Sequence, residues 1–593
     1  MNHIAHTRQQ VKKMKTIYSR LAVLAALLAG TAALAGSGLS PVYYWGAVAA
    51  AAPGGMALWA YGRYKRLQEL LALRERWGQP VKKERDFAVI SLLHAFRHGG
   101  SGAPGMVDEQ TWRDLNFDHI YALLDRTITA EGQAALYEML RKPCLSLEPL
   151  QERAALIKVF QRDRDFREKV QLALQPLGKR SQSDTTHLLW GPLQPLPPLA
   201  PLYTALAAAA LLSLSAPLLI GKTGFLVIMA LFGLNAIVHQ RVSRQYAHLL
   251  PAMTSLAALL RAALKVAAIV KAELGGRRER LRESSRVCKA LLKKTGLLHQ
   301  RNFYSDLDFL YDYFNYFFLL EVRAFYASLG EIKKRIAPLR EIYDIIAELD
   351  ALQAVASYRE SLPGYIEPDL SGNGAAYIAA TDIRHPLLKD PVANSITIDK
   401  QGVLITGSNM SGKSTFLRTL GVNAIFAQTI YTCTASSYRA GFFRVVTSIS
   451  REDNLAAGKS FYYQEAERLL KLIRAAEQVG ETPAFCIIDE LLSGTNYTER
   501  LAASEAILNY LARKNALVII ATHDLDLAER LQGLYRCCHF TDQVGRDGLS
   551  FDYKLKEGIS STRNAIKLLA YLNYPEEIVE QANQKAGEAG RKQ

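Results

Sequence analysis

"ITGSNMSGKST", residues 405–415, is the stretch that decides the fold. Gly407 to Ser414 fit the pattern GxxxxGK[ST]. The β-branched run "VLIT" precedes them and the helical pattern "STFLRTLGVNAIFAQ" follows. In that strand–loop–helix setting, glycines let backbone N–H groups close round phosphates, and the helix N-terminus adds partial positive charge. The expected nucleotide-binding residues are therefore Gly407, Ser408, Asn409, Met410, Ser411, Gly412, Lys413, Ser414 and Thr415. Lys413 is expected to reach the β- and γ-phosphates of ATP, and the Ser414 hydroxyl to ligate Mg2+.

Working outward, the texture from residue 371 is of short β-branched runs, "SITID", "VLITG", "RVVTSI", "AFCIIDE" and "ALVIIATH", alternating with helical stretches. That alternation predicts a largely parallel sheet in an α/β P-loop ATPase domain. "AFCIIDE" ends in Asp489 and Glu490. Asp489 is expected to hold Mg2+ through water, and Glu490 to polarise the attacking water. "LVIIATHD" sets His523 just after another strand, where an imidazole can contact a γ-phosphate. Three strand-end motifs in this order suit the ATPase branch that contains ABC and SMC-like proteins. These work as head-to-head dimers in which a serine of one subunit caps the other's γ-phosphate. An ABC transporter would carry an LSGGQ-like segment before "AFCIIDE"; here "LLSGTN" follows it, and the slot before reads "EDNLAAGKSFYYQEAERL".

This set resembles the MutS family, whose ATPase carries TGPNMGGKST, DLA-x-GxS-TF, DE-x-x-x-GT and ATH. The corresponding stretches here are "TGSNMSGKST", "NLAAGKSFY", "DELLSGTN" and "ATHD". The resemblance implies nucleotide and Mg2+ roles for Asn409, Lys413, Ser414, Asp489, Glu490 and His523, and makes Ser460 the serine acting across a homodimer. "IRHPLLKDPVANSITI" resembles the family's entry to the ATPase, which puts Val392 and Asn394 beside the adenine. "FDYKLKEGISSTRNAIKLLAYLNYPEEIVEQA" resembles its closing helical, dimerising segment. "LLDRTITAEGQAALYEMLRKPCLSLEPLQER" and "EIYDIIAELDALQAVASYRES" resemble its helical core and levers. There are departures. Ser408 and Ser411 replace Pro and Gly in the loop, and no mismatch-reading wedge, connector domain or nuclease tail is found.

Apolar segments stand where the mismatch reader would be. Leu21 to Leu39 is free of charge, and "VYYWGAVAAAAPGGMALWAY" reaches Tyr61; each is long enough to cross a bilayer. Lys12, Lys13, Lys15 and Arg20 precede the pair, and Arg63, Lys65 and Arg66 follow it, so the positive-inside rule predicts a hairpin with both ends cytoplasmic. A cleaved signal peptide, suggested by "ALA" at 33–35, would export the phosphate loop to a place without ATP. A second hairpin is expected from Leu199 to Ile220 and from Phe225 to about Val238, with Lys222 in the turn; a buried helix is the alternative for its second arm. The chain has 72 Lys and Arg against 56 Asp and Glu, a net +16. That excess suits an anionic partner, or merely the flanks of membrane helices. It is densest in "GGRRERLRESSRVCKALLKK", for which a solvated face, DNA phosphates and lipid headgroups all stay open. The aromatic run "NFYSDLDFLYDYFNYFFLLEVRAFY" reads as a core helix. The six cysteines are scattered and form no metal or disulfide framework.

The expected organisation is a basic N-terminus with hairpin 1 (1–66), helical core and lever (67–194), hairpin 2 (195–240), lever and core (241–370), ATPase (371–560) and a closing helical segment (561–593). The expected protein is a MutS-like ATPase, multi-pass in a bacterial-type inner membrane with its ATPase domain cytoplasmic. It is homodimeric, hydrolyses ATP with Mg2+ at composite sites, and binds DNA. The alternative is a membrane mechanochemical or scaffold ATPase acting on a protein or lipid. Transport is disfavoured, because the spans hold no charge apart from Lys222 in a turn.

Overall fold

The computed structural model describes residues 2–35, 42–81, 85–98, 105–178, 182–192, 200–269, 275–295, 307–370, 376–399, 401–408, 410–449, 461–478, 482–545, 548–559, 569, 571–572 and 574–589. The chain divides into two compact units. One comprises Met1–Lys83, Arg126–Gln133 and Lys158–Ser361; the other comprises Glu84–Asp125, Ala134–Ile157 and Leu362–Gln593.

The first unit is helical. Its opening helices, Asn2–Ala35 and Val42–Arg76, pack against each other. Arg8 bridges to Glu75 at 2.8 Å, and the Tyr18 and Tyr61 rings lie 5.1 Å apart. Val23, Leu27, Leu58 and Trp59 stay exposed on this pair, and part of the first apolar hairpin (36–41) lies outside the described residues. Where the second hairpin is expected, helices Ala200–Ser213 and Ala216–Ile220 pack on Gly224–Tyr246, which runs on through a 3-10 turn into Leu250–Ile269. Leu218, Leu219, Phe225, Leu226 and Met229 at its tip are exposed. Among the described residues, the stretch Ala216–Ile269 is the one long and apolar enough to cross a membrane.

From residue 307 on, the aromatic run forms two helices, Leu307–Phe318 and Leu320–Lys334, broken at Leu319, whose φ is 51°. Phe325 stacks on Tyr246 at 4.1 Å in the core, whereas Tyr313 and Phe314 are exposed. The expectation of one core helix thus holds for only part of the run. A left-handed residue ends the helical hydrogen-bond ladder and re-aims the chain.

The second unit is built on a six-stranded sheet in the order β5-β6-β7-β3-β8-β9, from β3 Val403–Thr406, β5 Arg444–Ser448, β6 Ala484–Asp489, β7 Ala516–Ala521, β8 Arg536–Gly545 and β9 Gly548–Glu557. All neighbours are parallel except β8 with β9. The central strands are buried on both faces, which is why "VLIT" and "AFCII" are unbroken apolar runs. Leu469, Leu472, Leu508, Leu511, Leu527 and Leu531 cover one face from three helices. The helix Lys413–Thr429, almost wholly buried, lies against β5, β6 and β7. Helix Glu109–Asp114 joins this unit: its buried Asp114 accepts from Thr447 Oγ1 at 2.6 Å and Ile449 N at 2.9 Å.

Two sequence expectations need correction. "SITID" is not in the parallel sheet. It forms β2 (Asn394–Ile398), which with β1 (Ile378–Ile383) and β4 (Ser437–Ala440) makes a separate antiparallel sheet. Its alternating burial is the mark of a strand with one wet face. "FDYKLKE" is strand β9 rather than helix; the closing helix is Glu576–Ala589, and residues 560–568 lie outside the described set.

Candidate functional site

Parallel packing sets the C-terminal ends of β3, β6 and β7 side by side. Each strand end hands over one part of the site. After β3 the chain turns through 407–412 into the Lys413–Thr429 helix. Gly407 has φ 145° and Gly412 φ 105°, values that favour glycine, and a Cβ on Gly407 would lie 2.8 Å from Phe540 O. Lys413 Nζ donates to Gly407 O at 2.6 Å and Ser408 O at 2.8 Å, which curls the loop over the helix N-terminus. Ser408 Oγ and Ser411 Oγ are buried and have no hydrogen-bond partner among the described residues.

β6 and β7 run in register from Ala484 with Ala516 to Asp489 with Ala521. The residues just beyond are thereby brought together: Glu490 N donates to Ala521 O, and His523 Nδ1 lies 2.7 Å from Glu490 Oε1. The Glu490 carboxylate raises the His523 pKa by that hydrogen bond, against the opposing effect of burial.

A cavity of about 1060 Å³ opens over these strand ends. Of the residues singled out in the sequence, Val392, Asn394, Ser408, Met410, Gly412, Lys413, Ser414, Thr415, Asp489, Glu490 and His523 line it. Gly407 and Ser411 shape the loop behind that lining. Asn409 and Ser460 lie outside the described residues. Asn394 also works as a clasp: its amide donates to Tyr553 O at 2.9 Å and its Oδ1 accepts from Leu555 N at 2.8 Å, tying β9 to the edge of the cavity.

Tyr553 and His385 are among the lining residues that escaped the sequence reading. Tyr553, on β9, sets its ring against the glycine-bounded loop, 3.2 Å from where a Gly412 Cβ would be. His385, within "IRHP", is buried, and desolvation together with the Arg418 charge lowers its pKa to about 4, so it is neutral at physiological pH. The "RHP" segment was an available signal for His385. Tyr553 lies 141 positions beyond Gly412 on an antiparallel edge strand, where no local pattern announces it.

A glycine-bounded loop, a helix N-terminus and two carboxylates gathered at the carboxyl edge of a parallel sheet define an α/β domain that takes its ligand outside the strand ends. Comparison with known families adds the lineage. Residues 403–589 match MutS domain V, and residues 109–356 match MutS domain III. The chain belongs to the MutS family. It is similar to the DNA mismatch repair protein msh3 of Aspergillus terreus, 30% identical over 287 residues that make up 45% of this chain and 25% of that protein. It is also similar to the DNA mismatch repair protein MutS of Staphylococcus haemolyticus, 29% identical over 275 residues, 44% of this chain and 30% of that one. The chain thus spans about a quarter of the length of the msh3 proteins it matches.

Proposed function

We propose that this chain is an ATPase that binds ATP in the cavity over β3, β6 and β7, works as a homodimer tethered to a bacterial-type cytoplasmic membrane, and acts on DNA. The observation that carries the ATPase reading is the meeting of Lys413, Ser414, Asp489, Glu490 and His523 round one cavity. The residues fit a magnesium polyphosphate: the loop holds two buried hydroxyls with no partner among the described residues, beside an ammonium and a helix N-terminus. Ser414 and Asp489 would hold Mg2+, which neutralises charge on the phosphate oxygens when bound. Lys413 and the loop amides bind and orient the phosphates. Glu490 accepts the proton of the attacking water, and His523, hydrogen-bonded to it, fixes where its carboxylate points. Tyr553 walls the cavity, with its ring against the loop.

The dimer and DNA readings rest on family membership and on the positive charge of the chain. The membrane reading is supported by Ala216–Ile269 and by the exposed apolar side chains on both helical hairpins. Alkaline carbonate extraction tests it: release into the supernatant would refute the tether. The test of the ATPase is Glu490→Gln. The amide keeps the size of the side chain and a polar partner for His523, so nucleotide binding is expected to persist. Loss of a general base lowers turnover by about 100-fold or more. Phosphate release at the wild-type rate would remove Glu490 from the mechanism.

A further inference from the structure

The Gly276–Thr295 helix carries the densest positive charge in the chain, and the fold sorts its cations into two sets. The first set is neutralised inside the unit. Arg277 pairs with Glu348 at 2.9 Å, Arg280 with Glu341 at 3.8 Å, and Lys294 with Glu331 at 2.7 Å. Leu281, Ser284, Ser285, Cys288 and Leu291 fill the buried face. The second set is Arg278, Arg282, Arg286 and Lys289, none of which has an ion pair among the described residues; Arg282, Arg286 and Lys289 are exposed and Arg278 is half-buried. At 3.6 residues per turn these four fall within an arc of about 80° and extend about 16 Å along the axis. Glu279 and Glu283, the two acids of the helix, lie to one side of that arc.

Such a row, without an ion pair among the described residues, is complementary to a linear array of phosphates. Two macromolecules present one: a bilayer surface and a nucleic-acid backbone. The fold favours the second. The helix packs beside Leu250–Ile269. On the membrane reading above, that neighbour begins 12 residues past Val238, or about 18 Å beyond the hydrocarbon along a helix. Headgroups extend only about 6 Å from the hydrocarbon, and screening removes the attraction within about a further 8 Å.

We propose that Arg278, Arg282, Arg286 and Lys289 form a docking row for the backbone phosphates of duplex DNA, read without regard to sequence. This rests on the DNA reading of the preceding subsection and gives it a surface. The row offers point charges with no side chain placed to read bases, so affinity should depend on salt and not on base composition.

The experiment is salt-titrated fluorescence anisotropy of a labelled duplex with the full chain in neutral-lipid nanodiscs. Wild type is compared with R278Q/R282Q/R286Q/K289Q and with the four single variants. Four phosphate contacts contribute about 3.6 to the slope of log affinity against log salt, so the quadruple variant should lose about that much and each single variant about one. Because none of the four side chains is buried, thermal midpoint and DNA-free ATPase rate should stay at wild-type values; the Arg→Lys variants should keep the slope. An unchanged slope in the quadruple variant, with wild type binding DNA, overturns the docking row alone. Failure of wild type to bind any duplex removes DNA from the proposed function as well. Unchanged DNA binding with lost adsorption to phosphatidylglycerol vesicles overturns the row and assigns it to the bilayer.

Discussion

Glu131 is a carboxyl in the wrong place for a charge, and its ionisation gives the helical unit a pH-dependent stability. It sits in the first turn of the Ala130–Arg141 helix, where the dipole favours an anion. Burial opposes that and wins: Glu131 is only 6% exposed, and desolvation, reinforced by the nearby Asp350, pushes its pKa up to about 7. A pKa raised on folding means that the protonated form is favoured in the native state. The stability is therefore fully present below the unfolded value of about 4.5 and is lost as pH rises through about 7. At about 1.4 kcal/mol per pKa unit the whole effect is about 3 kcal/mol, of which about 2.5 kcal/mol falls between pH 5 and 8.

Glu131→Gln keeps the shape and removes the titration. Urea unfolding followed by the far-ultraviolet signal at pH 5, 6, 7 and 8 is the assay. Wild type should lose stability across that series relative to the variant. The variant should be the more stable protein at pH 8 and close to wild type at pH 5. Parallel pH dependences in the two proteins would refute the reasoning, because they would show that the native Glu131 is already solvated or already neutralised by a cation.

Three further outcomes follow from the same structure. Asp350, fully buried, accepts from Ile128 N, Thr129 N, Thr129 Oγ1 and Gln353 Nε2 at 2.6–3.0 Å. Asp350→Ala strands these donors and should cost about 3–5 kcal/mol in the same urea assay, whereas a cost below about 1 kcal/mol would mean that water reaches the site. Tyr553→Ala removes an aromatic wall of the cavity and should weaken binding of a fluorescent ATP analogue by up to about tenfold; an unchanged Kd would remove the ring from the binding site. His523 is held protonated above its ordinary range by Glu490. Turnover should therefore climb as pH rises through that raised ionisation and frees the carboxylate, and His523→Gln should abolish that limb of the profile while leaving ATP binding intact.

The parallel sheet was legible because its central strands are buried on both faces and so have nothing to alternate: "VLIT" and "AFCII" are continuous apolar runs with chemistry at their ends. The rest of the domain was harder to read for the complementary reason. β4, β8 and β9 carry charged or polar residues on a wet face, and a strand such as "FDYKLKE" takes its structure from the neighbour it pairs with rather than from local pattern. The site followed suit. Residues on the loop and at the central strand ends could be named, whereas Tyr553, brought in by an edge strand, could not. The basic helix shows the same limit from the other side. Its composition announced a charged surface, but Arg277, Arg280 and Lys294 find partners 37 to 71 positions away, so only the fold could show which cations are paired within it.

Backbone strain bears on the site independently of any motif. Among the described residues, eight non-glycine positions have positive φ, and three of them, Met410 at 72°, Glu490 at 60° and Tyr553 at 50°, line the cavity over the strand ends. Each such residue costs about 1 kcal/mol or more and persists only where its surroundings over-determine it. The surroundings do so here. Glu490 is held by its N–H to Ala521 O and followed by the buried Leu491 and Leu492; Tyr553 is held by the Asn394 amide on its carbonyl. An extended or helical Glu490 would release that strain but carry its carboxylate away from His523 and from the mouth of the strand ends. The core therefore stabilises an unfavourable backbone at the one residue proposed as proton acceptor. That is the arrangement expected where position, and not stability, is under constraint.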